Sequence, residues 1–353
     1  YNENEEEINI IEVKATTNRK YLDAKEKALL DRFSDVGKYT HDLAFQRFVI
    51  EQALRLAGET RPVNYYLAVL NCQYEYDGVR DAMGECEYNM IKGQEIIVFL
   101  NMNEVTEKYQ PIILDEKCTL EKFISTPHDI SAKVPVGKWC AWGGRTECLF
   151  CSHCYKRLRD VPDTNKANNY LHFRGFKSGG IKDKYQLINK GYWQLDDVPS
   201  GWLTSENHKI QRDCFDNGTE HIDKEKMRFW LDKIEYPIYH FDFETFPCPL
   251  PRFKRETPYR QSVFEFSLHI ARAPGVCDKQ KDNFIFLNAE CDDDEREDLV
   301  KAIVDHFEFN ADGTLHGTML AQNTSFERGR LKELAAAVPK YKDKLLAICD
   351  KSA

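Results

Sequence analysis

No apolar run in the sequence approaches the length of a membrane span, and 30% of the 353 residues are charged. Because a transmembrane helix needs about 20 consecutive apolar residues, we expect a soluble, cytoplasmic chain with no membrane partner. Internal repeats and low-complexity tracts are missing too, and the length suits two or three domains that each bury a core. No initiator Met precedes Tyr1, and we expect a fragment that is open at both ends.

An excess of positive charge is also missing, because the formal net charge is −9, which taken alone argues against a nucleic-acid partner. The distribution argues the other way, since residues 138–190 hold 11 Lys and Arg against 4 Asp and Glu. Lys156, Arg157 and Arg159 cluster there among aromatic residues. Basic side chains neutralise phosphates and aromatic rings stack on bases, so this stretch is a candidate nucleic-acid groove. A solvated loop region with a charge bias is the alternative.

The most informative motif is Asp242-Phe243-Glu244, which lies inside an apolar run. Alternation along a strand places Asp242 and Glu244 on one face and Phe241, Phe243 and Thr245 on the other. Two neighbouring carboxylates repel one another unless a proton or a cation intervenes, and hard oxygen ligands suit Mg²⁺ or Mn²⁺. The motif therefore indicates a metal-binding edge. A surface-facing acidic pair on an amphipathic strand is the alternative.

The residues after this motif predict the element order β-β-β-α-β-α. The expected bounds of the five following elements are Gln261–Arg272, Asp282–Leu287, Asp293–Phe307, Thr318–Gln322 and Ser325–Val338. In the first helix, Leu299, Ile303 and Phe307 fall on one face. This order resembles the beginning of the ribonuclease H-like fold, in which the first strand carries the first catalytic carboxylates.

The turn Asn323-Thr324-Ser325-Phe326-Glu327 resembles the second motif of the DnaQ-like (DEDD) 3′–5′ exonucleases, an Asn-x-x-Phe-Asp box at a strand-to-helix junction. The resemblance implies that Glu327, in place of the family's Asp, lies near Asp242 at the catalytic metals, and that Asn323 contacts nucleic acid. The alternative is helix capping by Asn323 or Ser325, with Glu327 favoured by the helix dipole. The family's third motif, His or Tyr followed after four or five residues by Asp, is not in sight in the 26 residues that follow Glu327.

Four of the 12 cysteines, Cys140, Cys148, Cys151 and Cys154, lie close together. In an intracellular chain such a cluster indicates a metal rather than disulfides. Thiolates suit a structural Zn²⁺ or an iron–sulfur cluster. The spacing of the four is crowded for one tetrahedral zinc, which favours a cluster.

A second nuclease pattern begins at Glu12-Val13-Lys14, where the spacing puts an acid and a cation on one strand face. A helix over Thr40–Leu56 that carries Gln46 and a strand over Val63–Leu70 follow. This arrangement resembles the PD-(D/E)xK nucleases, closest to the RecB-like branch with the CRISPR-associated Fe–S exonucleases. The resemblance implies that Glu12 binds Mg²⁺ or Mn²⁺, that Lys14 orients the attacking water and that Gln46 lines the site. An exposed ion pair is the alternative.

Together these patterns resemble a bacterial family, catalogued as a domain of unknown function, that joins a RecB-like Fe–S nuclease domain to a ribonuclease H-like exonuclease domain. The resembling stretches are Ile11–Lys14, Asp42–Gln46, Cys140–Cys154, Tyr236–Thr245, Pro258–Ile270 and Asn323–Leu334. The resemblance implies an α/β fold with α+β mixed sheets: a restriction-endonuclease-like domain (1–158), a connecting subdomain (159–232) and a ribonuclease H-like domain (233–353). It also implies a 4Fe–4S cluster at the cysteines, with Zn²⁺ as the alternative.

The leading functional hypothesis is metal-dependent, exonucleolytic hydrolysis of DNA or RNA at one or both sites. The first alternative is a nucleic-acid-binding scaffold whose sites have decayed and whose cysteine cluster is structural. A further alternative is an adaptor whose cysteines form a zinc module for protein contacts. The replacement of Asp by Glu327 and the acidic net charge favour the scaffold slightly.

We expect the protein, purified without oxygen, to carry a 4Fe–4S centre at Cys140, Cys148 and Cys154, with Cys151 available as the fourth ligand. Thiolate-bound iron gives broad brown absorbance, whereas zinc gives none. Anaerobic elemental analysis that finds stoichiometric zinc and no iron would contradict this prediction.

Overall fold

The computed structural model of the chain describes residues 2–3, 6–125, 141–142, 146–147, 184–192, 195–288 and 293–352. Helices and mixed sheets both occur in these residues, which confirms the predicted α/β class with α+β mixed sheets. Among the described residues, no helix is both long and apolar enough to cross a membrane.

Most elements lie near the bounds that the sequence predicts. In chain order the strands are β1 Asn2–Glu3, β2 Ile8–Thr17, β3 Val63–Leu70, β4 Ile97–Asn101, β5 Ala141–Trp142, β6 Thr146–Glu147, β7 Ile238–Pro247, β8 Gln261–Ala271, β9 Asn283–Leu287 and β10 Thr318–Leu320. The helices are α1 Arg19–Leu22, α2 Glu26–Leu29, α3 Gly37–Leu56, α4 Asn103–Ser125, α5 Lys184–Asn189, α6 Glu206–Asn217, α7 Lys224–Leu231, α8 Arg296–His306, α9 Thr324–Ala337 and α10 Lys342–Asp350. Short 3₁₀ turns lie at Leu195–Asp197, Ser200–Trp202 and Pro339–Tyr341.

The chain divides into two compact units that are not contiguous in sequence. The first contains Tyr1–Ala24, Arg61–Asn103 and Lys224–Ala353, and the second contains Lys25–Thr60 and Glu104–Asp223. The domain bounds expected from the resemblance stay a prediction.

The first unit contains two four-stranded sheets. In one sheet β2 pairs with β3 in parallel, while β1 and β4 are antiparallel edge strands. In the other, the order is β10-β7-β8-β9, with three antiparallel strands in sequence and β10 parallel to β7. The predicted order β-β-β-α-β-α is therefore confirmed for residues 238–337.

The core of this second sheet lies on one face of β7 and β8. Tyr239, Phe241 and Phe243 of β7 are buried there with apolar residues of β8 and of the following helices. Leu299 and Ile303 of α8, and Phe307 just after it, are also buried, which confirms the predicted apolar face. Burial of these large side chains is the main force that holds the helices against the sheet.

Helix α3 begins at Gly37, three residues before the predicted Thr40, and in the region of residues 261–338 two element ends differ from the predicted bounds by more than one residue, for local reasons. β10 stops at Leu320 rather than Gln322, because the chain turns there into α9 and the Asn323 carbonyl accepts the Phe326 N–H at 2.7 Å. Helix α8 begins at Arg296 rather than Asp293, because the Asp293 carbonyl accepts the Glu295 N–H in a turn of its own.

The second unit has its own apolar clusters. Ala44 of α3 is buried with Tyr109 and Ile113 of α4. Beside this cluster, Glu116 accepts hydrogen bonds at 2.9 Å from both Arg32 and His41. Burial acts to raise the pKa of Glu116, but these two hydrogen bonds outweigh it and hold that pKa below its ordinary value. The group therefore adds stability that is lost as the pH falls through the lowered pKa.

Gly317, just before β10, is required by a close backbone approach. It has a φ of +99°, and a Cβ at this position would lie 2.1 Å from the Pro237 carbonyl oxygen. Residues with a side chain rarely adopt that φ, and no Cβ atom tolerates a contact that short. The glycine thus allows the chain to enter β10 directly beside the start of β7.

We expect Gly317→Ala to lower the free energy of unfolding by about 1–3 kcal/mol, because it combines backbone strain with a steric clash. Thermal unfolding measures the change. The matched control is Gly329→Ala inside α9, where a Cβ meets nothing within 4 Å; there alanine should be neutral or stabilising by up to about 1 kcal/mol. Equal melting temperatures for both variants would contradict the close approach at Gly317.

Candidate metal site

Strand β7 separates its side chains as the motif predicts. Asp242 and Glu244 are exposed, whereas Phe241 and Phe243 are only 3% and 4% exposed on the opposite face. A register shift in the pairing with β8 falls between Glu244 and Thr245, so the strict alternation ends after Glu244. The two carboxylates therefore share one face, about 6.6 Å apart along the strand at the usual rise.

Strand β8 adds polar residues to the same face. Ser267 lies opposite Asp242 and Glu265 lies opposite Glu244, and directly opposed residues of an antiparallel pair share a face. Glu265 is therefore a third carboxylate on the strand surface, which sequence reasoning missed. Its signal was the alternation of Glu265, Ser267 and His269 with apolar residues, but only the register shows which of them faces Glu244.

Glu327 comes to this surface from the first turn of α9. β10 pairs Met319 with Tyr239 and Leu320 with His240. The chain then turns into α9 at the level of Asp242, and the side chains of Glu327 and Asp242 lie within hydrogen-bonding reach of one another. The predicted proximity of Glu327 to Asp242 is thus observed in the geometry.

The environment of Glu327 disfavours its charged form. Glu327 is only 2% exposed. Burial raises the pKa of Glu327 above its ordinary value, and the charge of Asp242 and a hydrogen bond with it raise that pKa further, although the Glu327 backbone N–H opposes the shift. Without a cation, the two neighbouring carboxylates therefore repel one another.

One oxygen of Glu327 is left unsatisfied. Its Oε2 is buried and has no hydrogen-bond partner in the part of the chain that the structure describes. A buried polar atom without a partner costs about 1–3 kcal/mol. Helix capping does not explain the turn either, because the exposed Asn323 occupies the N-cap position without a side-chain capping bond.

The donor atoms of these residues suit a hard divalent cation, and their arrangement suits it in part. Asp242, Glu244 and Glu327 supply carboxylate oxygens, which Mg²⁺ and Mn²⁺ prefer, and the orphaned Oε2 would gain a partner. Within the described ranges, however, no three His, Cys, Asp or Glu side chains converge as a ready-made metal-binding group. The pair Asp242–Glu327 is assembled, and Glu244 and Glu265 stand beside it on the sheet.

The second sequence motif forms an ion pair. Lys14 Nζ lies 2.7 Å from Glu12 Oε1, and each side chain is about one-fifth exposed, at 21% and 22%. The shared strand face of Glu12 and Lys14 is therefore observed. Gln46 lies on α3 in the second unit, whereas Glu12 and Lys14 lie in the first.

The remaining predicted residues lie outside the described part of the chain. These are the cysteines Cys140, Cys148, Cys151 and Cys154 and the basic residues Lys156, Arg157 and Arg159. Their assignments to a cluster and to a nucleic-acid groove stay predictions.

Comparison with known proteins finds one family. The model of a family described as Domain of unknown function (DUF2779) matches residues 239–352. That stretch begins in β7 and ends just after α10, so it contains Asp242, Glu244, Glu265 and Glu327. No curated protein and no solved structure matches the chain.

If the carboxylates hold a cation, Mn²⁺ should raise the melting temperature of the protein, since a ligand that binds only the folded state stabilises it. We expect Glu327→Gln to lose most of this shift while its metal-free melting temperature stays equal or rises, because the amide keeps a hydrogen bond to Asp242 without a second charge. The control is Glu308→Gln, whose exposed carboxylate pairs with Arg272. A Mn²⁺ shift that survives Glu327→Gln unchanged would contradict the metal site.

Proposed function

We propose that the chain is a metal-dependent nuclease that hydrolyses phosphodiester bonds of DNA or RNA, with its main site at Asp242, Glu244 and Glu327. The observation that carries the proposal is the buried Glu327, held against Asp242 with one oxygen unpartnered in the described part of the chain. A buried acidic residue with a structural role would be paired with a cationic side chain or with hydrogen-bond donors. Here two acids are brought together, which favours a site made for a positive ion.

The order of elements supports a ribonuclease H-like, DEDD-type assignment for residues 233–353. The three antiparallel strands, the crossing helix α8 and the parallel β10 bring the two motifs to one place. A bound Mg²⁺ or Mn²⁺ would activate water and stabilise the leaving oxygen. Asp242 and Glu244 would hold the ion from the strand, and Glu327 would hold it from the helix.

The N-terminal motif supports a second, RecB-like site in the same proposal. Lys14 lies beside Glu12, which is the arrangement of cation and acid that such a site would need. The Fe–S cluster at the cysteines and the cytoplasmic location belong to the proposal as well. The seven cysteines within the described residues are free thiols, which suits a reducing compartment.

The competing function is a nucleic-acid-binding scaffold. It is favoured by one observation: in the described residues, the carboxylates do not form a three-ligand group. An enzyme loses its cleavage when Asp242 is replaced, whereas a scaffold has no cleavage to lose. One substitution therefore separates the two functions.

We expect Asp242→Asn to abolish Mg²⁺- or Mn²⁺-dependent cleavage of oligonucleotides and to leave the melting temperature equal or higher, because it relieves the repulsion with Glu327. A fluorescently labelled strand, followed by gel electrophoresis with and without Mn²⁺, measures the cleavage.

Asp282→Asn provides the matched control. The Asp282 side chain is buried and accepts hydrogen bonds from Arg272 and from the Asp278 backbone. Its loss should lower stability by about 1–3 kcal/mol while cleavage by the folded protein persists. Retained cleavage in Asp242→Asn together with lowered stability would make Asp242 a structural residue and would overturn the proposal.

A further inference from the structure

A cavity of about 440 Å³ lies within the first unit, and its lining on α9 begins at Arg330, three residues after Glu327. Its walls are the beginning of β8, the second half of α9 and the segment 255–260 before β8. Val263, Leu334 and Ala337 form an apolar part of the lining. None of the sequence patterns pointed to this cavity.

The cavity is cationic although the chain is acidic. Its lining contains four arginines and one lysine against three glutamates, in a chain of net charge −9. Two of the glutamates are already used: Glu333 Oε1 accepts hydrogen bonds at 2.7 Å from both Arg260 and Arg330, and Glu256 accepts the backbone N–H groups of Arg252 and Phe253. Arg296 is paired with Asp294, so the remaining three arginines and one lysine exceed the three glutamates by one positive charge.

Arg330 has spare hydrogen-bonding capacity in this wall. Its guanidinium lies 5.1 Å from the ring of Phe326 and donates through one terminal nitrogen to Glu333. Its Nε is buried and has no partner among the residues that the structure describes. A planar guanidinium suits the oxygens of a phosphate as a hydrogen-bond donor that is always charged.

The cavity and the candidate metal site share two elements, helix α9 and strand β8. On α9, Arg330 follows Glu327 by three residues, a rise of about 4.5 Å that keeps both on neighbouring positions of the helix surface. On the sheet, Ser262 and Val263 at the beginning of β8 pair with Phe246 and Thr245, just beyond Glu244. A chain of phosphates that crosses the carboxylates along this direction would next meet the arginines.

We infer that this cavity binds a backbone phosphate of the nucleic-acid strand that is cut, next to the phosphate at the carboxylates. The inference rests on the proposed function, since it names a second contact with the same substrate. Arg260 and Arg330 supply the charge and the N–H groups, and Glu333 holds the two guanidinium groups in place. The expected ligand is a single strand of any sequence, because the contacts are to phosphate rather than to bases.

The test is binding without cleavage. In an Asp242→Asn background, the affinity for a labelled single-stranded oligonucleotide is measured by fluorescence anisotropy in EDTA over a series of salt concentrations. We expect Arg260→Gln and Arg330→Gln each to weaken binding by about three- to tenfold at low salt. Each should reduce the slope of log K against log salt by about 0.7, the value for one phosphate contact on a single strand.

Three further variants separate the phosphate contact from lost structure. Arg330→Lys keeps the charge but loses the fork, so it should retain the salt slope and bind more weakly than the parent. Lys301→Gln removes an exposed cation that pairs with Asp305 outside the cavity, and should change neither quantity. Melting temperatures confirm that each variant is folded.

The possible outcomes are distinct. If folded Arg260→Gln and Arg330→Gln proteins bind with the parent's affinity and salt slope while Asp242→Asn still abolishes cleavage, the cavity inference is wrong and the nuclease proposal stands. If Lys301→Gln weakens binding as much as the cavity variants do, the contact is diffuse surface charge and the inference is also wrong. If the protein without substitutions neither binds nor cleaves oligonucleotides, the proposed function fails first, and the inference fails with it.

Discussion

The candidate site depends on one constraint, the parallel pairing of β10 with β7. Only three residue pairs make this contact, from Thr318 beside Ile238 to Leu320 beside His240. The pairing is anchored at its start by the Thr318 N–H, which donates to the Pro237 carbonyl at 3.0 Å. Because β10 is so short, the chain leaves it at the level of Asp242 and begins α9 there. A pairing shifted by one residue would turn β10 over and carry Glu327 away from Asp242.

Because β10 brings Glu327 beside Asp242, the charges around these two acids decide what the site can bind. Burial and the charge of Asp242 both raise the pKa of Glu327, and the Glu327 backbone N–H at the helix start offsets only part of this. The site therefore lacks positive charge where its acids meet, while one turn along α9 the cavity has more positive charge than its own glutamates use. A cation at the acids and an anion at the arginines would relieve both imbalances, and a phosphodiester strand with its metal ion supplies both charges at once.

The sequence predicts the elements of this region well, because burial on one face leaves a periodic signal. The alternation of Phe241 and Phe243 with Asp242 and Glu244, and the spacing of Leu299 and Ile303, are properties of single segments. Relations between segments leave a much weaker signal. That Glu265 faces Glu244 follows from a strand register interrupted by a bulge, and that Arg260 and Arg330 share Glu333 follows from how α9 lies on β8. Neither relation has a period in the sequence, so neither could be found there.

The cavity also depends on residues outside the stretch that the family model matches. Backbone hydrogen bonds join Tyr76 to the cavity wall: the Arg255 N–H donates to the Tyr76 carbonyl at 2.7 Å, and the Tyr76 N–H donates to the Glu256 carbonyl at 2.9 Å. Tyr76 is itself buried, and Glu75 beside it lines the cavity. The hydroxyl of Tyr259 donates to the Ala15 carbonyl on β2. Residues 239–352 contain the carboxylates, but the wall that carries Arg255 and Glu256 is held by strand-like pairing with a segment from the N-terminal part of the unit. The wall of the cavity is therefore complete only when both parts of the first unit are folded together.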